Sequence, residues 1–213
     1  MTARLSHRER SVVFALVSRL LRYPDRELLD DLPLLGEAAG GLPASVRAPL
    51  GGLVAHLAAT PLLALQADYV ATFDLRRRNC LYLTYFLNGD TRRRGAALWR
   101  FRDLYRRYGL VTADGELADF LPVLLELVAE TPAGDPEPLD TLLEHLAGIS
   151  VLRRSLESSE SPWAGAVLAL ERSLPRPSAA VLAAAERIAT EGPPLEQVGI
   201  EAYGQPAAGG GRR

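Results

Sequence analysis

The sequence predicts an all-α fold: a single-domain bundle of about ten helices over residues 1–190, followed by a flexible C-terminal tail over 191–213. Three observations carry this expectation. Apolar residues recur at spacings of three and four along most of the chain, no stretch of convincing length alternates apolar with polar, and Gly, Pro, Asn or Asp stand in most of the gaps. With 213 residues, 48% of them apolar, the chain is long enough to bury a core of its own.

The first helix is expected over Ser6 to Arg22, where Val13, Leu16, Val17, Leu20 and Leu21 share a face, Ser6 is placed to cap and Pro24 to stop. Helical patterns follow over Arg26 to Ala38, Pro43 to Ala58, Pro61 to Asp74 and Asn79 to Leu87. From Thr91 to Tyr108, Ala97, Leu98, Phe101, Leu104, Tyr105 and Tyr108 form one stripe and six arginines mostly occupy the other side. An arginine-faced helix of this kind is ordinarily a solvated surface helix. Asp114-Gly115 marks a turn, and a helix from Asp119 to Glu130 would have Asp119 as its cap and Pro122 in its first turn.

TPAGDPEP, residues 131–138, reads as a hinge loop. Leu139, Leu142, Leu143, Leu146 and Ile149 restore the helical period up to Glu157, and two more helices are expected over Ser161 to Leu174 and Ser178 to Thr190. The stretch from Gly192 has too much Gly and Pro to continue as helix, and residues 207–213 are expected to be mobile.

Composition removes several function classes. A formal charge of −2 gives the whole molecule no long-range pull toward nucleic acid or anionic lipid. All 24 basic side chains are arginine, so a phosphate-loop lysine, a Schiff-base lysine and a pyridoxal anchor are impossible. Cys80 is the only cysteine, which rules out an intrachain disulfide and a zinc site built on paired thiolates, and fits a reducing cytoplasm. Ser18 and Arg19 interrupt the N-terminal apolar stretch before it could serve as an export signal.

His7, His56 and His145 are scattered with no metal-ligand spacing, and neither a nucleophile elbow nor a dinucleotide fingerprint is present. The expectation is therefore a binding protein, with no enzymatic activity, no metal and no cofactor of its own.

The apolar run Cys80 to Leu87 lies between arginines 76–78 and 92–94. It is far shorter than the roughly 20 residues a membrane span needs, and three arginines ahead of an apolar run serve as an export signal only at the start of a chain. Tyr82, Leu83, Tyr85 and Phe86 exceed what one face of a short helix buries, so part of the run is expected to line a groove, against the plainer reading of core packing. Tyrosines there would offer apolar area plus a hydroxyl for a partner backbone.

Glu116 and Asp119 beside Leu121, Leu124, Leu125 and Val128 would give a greasy groove with an acidic lip, suited to a partner helix carrying Arg or Lys. The flanking arginines are assigned to solvent and to intrachain carboxylates such as Asp74 and Asp90. The competing function is nucleic-acid binding through the arginine-faced helix. The balanced charge and the missing recognition-helix signature count against it.

The ordered motifs LLRYPD (20–25), YVATFD (69–74), NGDTRRRG (88–95) with its helix to YGL (108–110), and ELADFLPVLLEL (116–127) together resemble a known family. It is the molybdenum cofactor assembly chaperones of respiratory nitrate reductase, the NarJ or delta-subunit type, within the TorD-like chaperones. The resemblance is strong over residues 12–130, weaker to 174, and faint in PPLEQVG at 193–199.

It implies a cytoplasmic, TorD-like helical chaperone that binds the N-terminal segment of the reductase catalytic (alpha) subunit. Such a chaperone supports molybdenum cofactor insertion before membrane docking. It binds no nucleic acid, inserts in no membrane, and leaves a homodimer open. Tyr69 and Phe73 of YVATFD join Tyr82, Tyr85, Glu116, Asp119, Leu121 and Leu125 as the expected peptide-binding set. Where the family commonly reads E-L-P-D-H, this chain has Glu116-Leu117-Ala118-Asp119-Phe120, so no role of that histidine carries over. Tyr85-Phe86 stands where the family often has Glu-His.

Overall fold

Capping chemistry starts the first helix where the sequence places it. The computed structural model describes residues 5–89, 91–113 and 115–192, and in it α1 runs His7–Leu20. Ser6 Oγ accepts the Glu9 N–H at 3.2 Å and the Glu9 carboxylate accepts the Ser6 N–H at 2.7 Å, which satisfies two donors the first turn would otherwise leave free. Asp25 begins α2 (Arg26–Gly40) by accepting the Leu28 N–H at 2.7 Å. α3 (Ala44–Ala59) and α4 (Leu62–Tyr69) each follow a proline, Pro43 and Pro61.

The chain continues through α5 (Leu83–Asn88), α6 (Arg92–Arg107), α7 (Leu121–Glu130), α8 (Glu137–Glu144), α9 (Leu146–Ser158), α10 (Ala164–Ser173) and α11 (Ala179–Glu191). The described residues thus hold eleven α-helices and no strand. The tail from residue 193, with its PPLEQVG segment, lies outside the described residues, as do Asp90 and Asp114.

α1 packs along α7 and against α10 and α2, α10 lies on α3, and α9 joins α10 to α11. Leu20, Leu21, Leu50, Leu53, Leu57, Leu121, Leu124, Leu125 and Trp163 are almost wholly buried. Each such leucine contributes about 1.5–3 kcal/mol of transfer free energy. Gly165 lets α10 lie directly on the Pro49 carbonyl of α3, a site where a Cβ would collide with backbone.

Four elements differ from expectation. The helix expected over Asn79 to Leu87 starts only at Leu83, because residues 81–83 are extended against 119–121. Leu121 N–H donates to Leu81 O at 2.8 Å, Leu83 N–H donates to Asp119 O at 2.9 Å, and Tyr82 and Phe120 form an antiparallel bridge. Asp119 does not cap α7, where Phe120 holds the cap position.

The single helix expected over Leu139 to Glu157 breaks at His145, whose ring is buried against Phe101 at 5.4 Å between centroids. Since the apolar period runs on through the break, periodicity could not reveal it. Finally, α4 gives way to a π-helical turn over Val70–Asp74, a widening often found at functional sites.

Candidate peptide-binding cleft

The π turn and the bend after α1 bring distant motifs to one opening. A cleft of about 990 Å³ is lined by Arg22, Tyr23 and Asp25 from LLRYPD, by Tyr69, Phe73 and Asp74 from YVATFD, by Tyr82 and Tyr85, and by Glu116, Phe120 and Glu126. With Arg94 of NGDTRRRG also in the lining, four motif segments scattered over more than 100 residues share one surface.

Local hydrogen bonds fix the walls. Tyr69 is buried, and its hydroxyl donates to Leu21 O at 2.9 Å, tying the π turn to the end of α1. Burial, reinforced by Asp74, pushes its phenol well above the usual tyrosine range. The Tyr69 and Phe73 rings pack on each other at 4.6 Å and edge-on against the buried Trp163 at 5.7 and 5.6 Å. Tyr23, nearly half exposed, sits edge-on to Tyr69 at 5.4 Å and gives the rim an apolar surface.

On the opposite wall the Tyr82 hydroxyl donates to Glu116 Oε1 at 3.3 Å. Burial and the neighbouring Glu116 carboxylate push the Tyr82 phenol up to about 12, so it remains a donor at neutral pH. The Tyr82 ring lies between Phe120 at 5.4 Å and the Arg94 guanidinium at 5.9 Å.

Charge around the opening is unequal. Arg19 pairs with Asp25 and Asp31 at 3.5 and 3.2 Å, and Arg22 pairs with Glu126 at 2.8 Å. Glu27, Asp74 and Glu116 also line the cleft, with no basic group within salt-bridge distance among the described residues. Arg77 is the lining guanidinium without a carboxylate partner among them. The unbalanced charge facing the opening is negative, the sign that favours a basic occupant.

Of the eight residues singled out from sequence, Tyr69, Phe73, Tyr82, Tyr85 and Glu116 line the cleft. Asp119, Leu121 and Leu125 do not: all three are fully buried, as is Leu124, and Val128 is nearly so. The apolar stripe of α7 is core and forms no groove. The acidic lip is Glu116 with Glu27 and Asp74.

Asp119 lies behind the wall, where its Oδ2 accepts the Thr84 N–H at 3.1 Å and the Thr84 hydroxyl at 2.5 Å, with Arg94 at 3.8 Å. It thus satisfies the N-terminus of α5 from another segment. Of the carboxylates expected for the flanking arginines, Asp74 forms no ion pair among the described residues and Asp90 lies outside them, while Arg94 faces Asp119 instead.

Sequence reasoning missed Tyr23, Arg22, Glu126 and Glu27 as lining residues. Tyr23, Arg22 and Glu126 were within the quoted motifs; only the 2.8 Å pairing of Arg22 with Glu126, 104 positions apart, shows that those motifs meet. Among the described residues, no group of three or more His, Cys, Asp or Glu side chains is arranged to hold a metal ion, and no helix is long and apolar enough to cross a membrane.

Residues 39–169 match the family described as nitrate reductase delta subunit. The chain is 37% identical over 163 residues to the nitrate reductase-like protein NarX of Mycobacterium tuberculosis, covering 76% of this chain and 24% of that protein, so it spans about a quarter of that relative. It is 32% identical over 161 residues to the probable nitrate reductase molybdenum cofactor assembly chaperone NarJ of Bacillus subtilis, covering 73% of this chain and 84% of the relative. The chaperone NarJ of Escherichia coli K12 is 31% identical over 156 residues, covering 72% and 65%. The crystal structure of a putative redox enzyme maturation protein from Archaeoglobus fulgidus shares the fold, with a TM-score of 0.52 at 23% identity over 79% of this chain and 93% of that one.

Proposed function

This chain belongs to the nitrate reductase delta subunit family, and on that footing we propose that it is a molybdenum cofactor assembly chaperone for a nitrate reductase catalytic subunit. It acts by binding, in the cytoplasm, and catalyses no reaction. The client's N-terminal segment enters the cleft as a basic amphipathic helix. Its apolar face meets Tyr23, Tyr69, Phe73, Tyr82 and Tyr85, and its Arg or Lys side chains meet Glu27, Asp74 and Glu116.

The observation that carries this reading is the convergence of the family-like motifs on one aromatic opening whose unpaired charge is mainly negative. Tyr82, kept protonated, is available to donate to Glu116 in the empty cleft and to a client carbonyl in the filled one. Occupying the segment holds the subunit off the membrane while the cofactor is inserted.

Deleting the gene for this chain in nitrate-respiring cells tests the role directly. The catalytic subunit should accumulate with little bound molybdenum, and its metal content should return when the chain is resupplied. Full molybdenum occupancy without the chain would end the proposal.

A further inference from the structure

Two helix faces outside the cleft carry complementary, unsatisfied chemistry. On α6, Trp99 is 60% exposed, with the guanidinium groups of Arg102 and Arg106 at 6.0 and 5.9 Å from its ring. These three positions fall on one side of the helix. Neither arginine has a carboxylate within salt-bridge distance among the described residues, whereas Arg100 and Arg107 on the same helix pair with Glu144 and Glu137. Beside them is a concavity of about 230 Å³, lined in part by Tyr105, Leu110 and Val111. Val111 is 88% exposed.

The counterpart is on α2. Leu34 is 65% exposed there, with Asp30 one turn before it and Glu37 one turn after, both exposed and neither within salt-bridge distance of a basic group among the described residues. α2 packs on α3 and α1 while α6 packs on α5, so the two faces belong to separate parts of the bundle.

An exposed leucine between two carboxylates complements a partly apolar hollow bordered by two guanidinium groups in polarity and in charge. At 1.5 Å of rise per residue, Asp30 and Glu37 lie about 10 Å apart and Arg102 and Arg106 about 6 Å apart, a difference that flexible arginine stems span.

We propose that α2 of one copy docks on α6 of a second copy of this chain, Leu34 seating beside Trp99 and the two carboxylates pairing with Arg102 and Arg106. Surface tryptophan and arginine flanking a hollow are what association hot spots are built from. The contact is heterologous: it closes into a dimer if two copies engage both faces reciprocally, and otherwise builds a ring or a chain. A single helix-on-helix contact is smaller than the roughly 1,600 Å² of a standard stable interface, so association is weak, concentration-dependent and salt-sensitive.

Sedimentation equilibrium of the full chain at low and at high salt tests this. Wild type should self-associate at low salt, and either charge reversal, Arg102→Glu with Arg106→Glu or Asp30→Arg with Glu37→Arg, should weaken association about tenfold or more. Mixing the two reversed variants should restore it, since each then offers the other an opposite face. The reversals alter exposed side chains only, and circular dichroism checks that both variants fold. A chain monomeric at every concentration, association indifferent to both reversals, or no rescue on mixing would each overturn the contact. So would binding of monomeric wild type to anionic phospholipid vesicles, lost with Trp99→Ala, which would assign the face to a lipid surface.

Discussion

Thr84 and Asp119, 35 positions apart, are joined twice through one carboxylate oxygen, which accepts both the backbone N–H and the hydroxyl of Thr84. This link adds to the backbone bridge that joins the strip carrying Tyr82 and Tyr85 to the strip carrying Glu116 and Phe120, so the aromatic wall of the cleft depends in part on a side chain that does not line it. Asp119 Oδ1 is buried with no hydrogen-bond partner among the described residues, so a single oxygen carries the link.

Asp119→Ala leaves the Thr84 N–H and the hydroxyl hydrogen of Thr84 buried without an acceptor, the hydroxyl oxygen still accepting from Arg94 Nε at 3.3 Å, and strips Arg94 of this carboxylate. The expected cost is about 3–5 kcal/mol, a fall in Tm of roughly 10 °C or more. Asp119→Asn retains an acceptor for the Thr84 N–H and should cost less than half as much. Thermal unfolding of the two variants decides; an Asp119→Ala chain as stable as wild type would show that the link does not hold the wall.

Two glycines mark close approaches of unequal stiffness. A Cβ at Gly148 would sit 2.7 Å from the Phe86 ring, while one at Gly165 would collide with the Pro49 carbonyl of the backbone. The Phe86 Cβ stands as near as the ring, at 2.8 Å, so relief at Gly148 needs a small shift of the short α5, whereas at Gly165 the backbone of α3 itself would have to move; Gly148→Ala should cost about 1–3 kcal/mol and Gly165→Ala clearly more. Denaturant titration of both variants gives the order, and a reversed order would refute this reading of the α3–α10 contact.

Alkaline pH should unfold the chain cooperatively. Burial, joined for Tyr82 by the Glu116 carboxylate, raises the Tyr69, Tyr82 and Tyr105 phenols above their unfolded value of 10, Tyr82 to about 12. The folded state then holds protons that the unfolded state releases. Stability is fully present below pH 10 and falls as pH rises through the folded values. Tyrosinate absorbance followed beside circular dichroism should show these phenols ionising together with loss of helix, and Tyr82→Phe should flatten the decline between pH 10 and 12.

Much of the fold is legible in the sequence because helix periodicity and caps are local signals. Ser6 and Glu9 box the start of α1, and Phe101, Leu104 and Tyr105 are buried on the predicted stripe of α6. What was not legible was decided by partners far along the chain. The extension of Leu81 to Leu83 is imposed by residues 119–121, and the break at His145 is hidden inside an unbroken apolar period. For the same reason the cleft was read in part: aromatic residues in the motifs reach it, whereas burial of Leu121 and Leu125 follows from the packing of α7 along α1, and that of Asp119 from its pairing with Thr84 and Arg94.

Trp163 offers a reporter of cleft occupancy, since Tyr69 and Phe73 line the cleft and pack on its ring. In a Trp99→Phe background it is the remaining tryptophan of the two in the sequence. Its emission should change in intensity or wavelength as a client segment fills the cleft, with the same midpoint as heat measurements. An unchanged spectrum at saturation would place the segment elsewhere.

The most direct test is a calorimetric titration of a synthetic N-terminal segment of the cognate catalytic subunit into wild type and into Glu116→Arg, which inverts the lip without touching the core. The account expects saturable one-to-one binding by wild type and an affinity at least about tenfold lower for Glu116→Arg, the loss shrinking as salt is raised. Equal affinity for the two proteins, or no heat with wild type at any concentration, would contradict it.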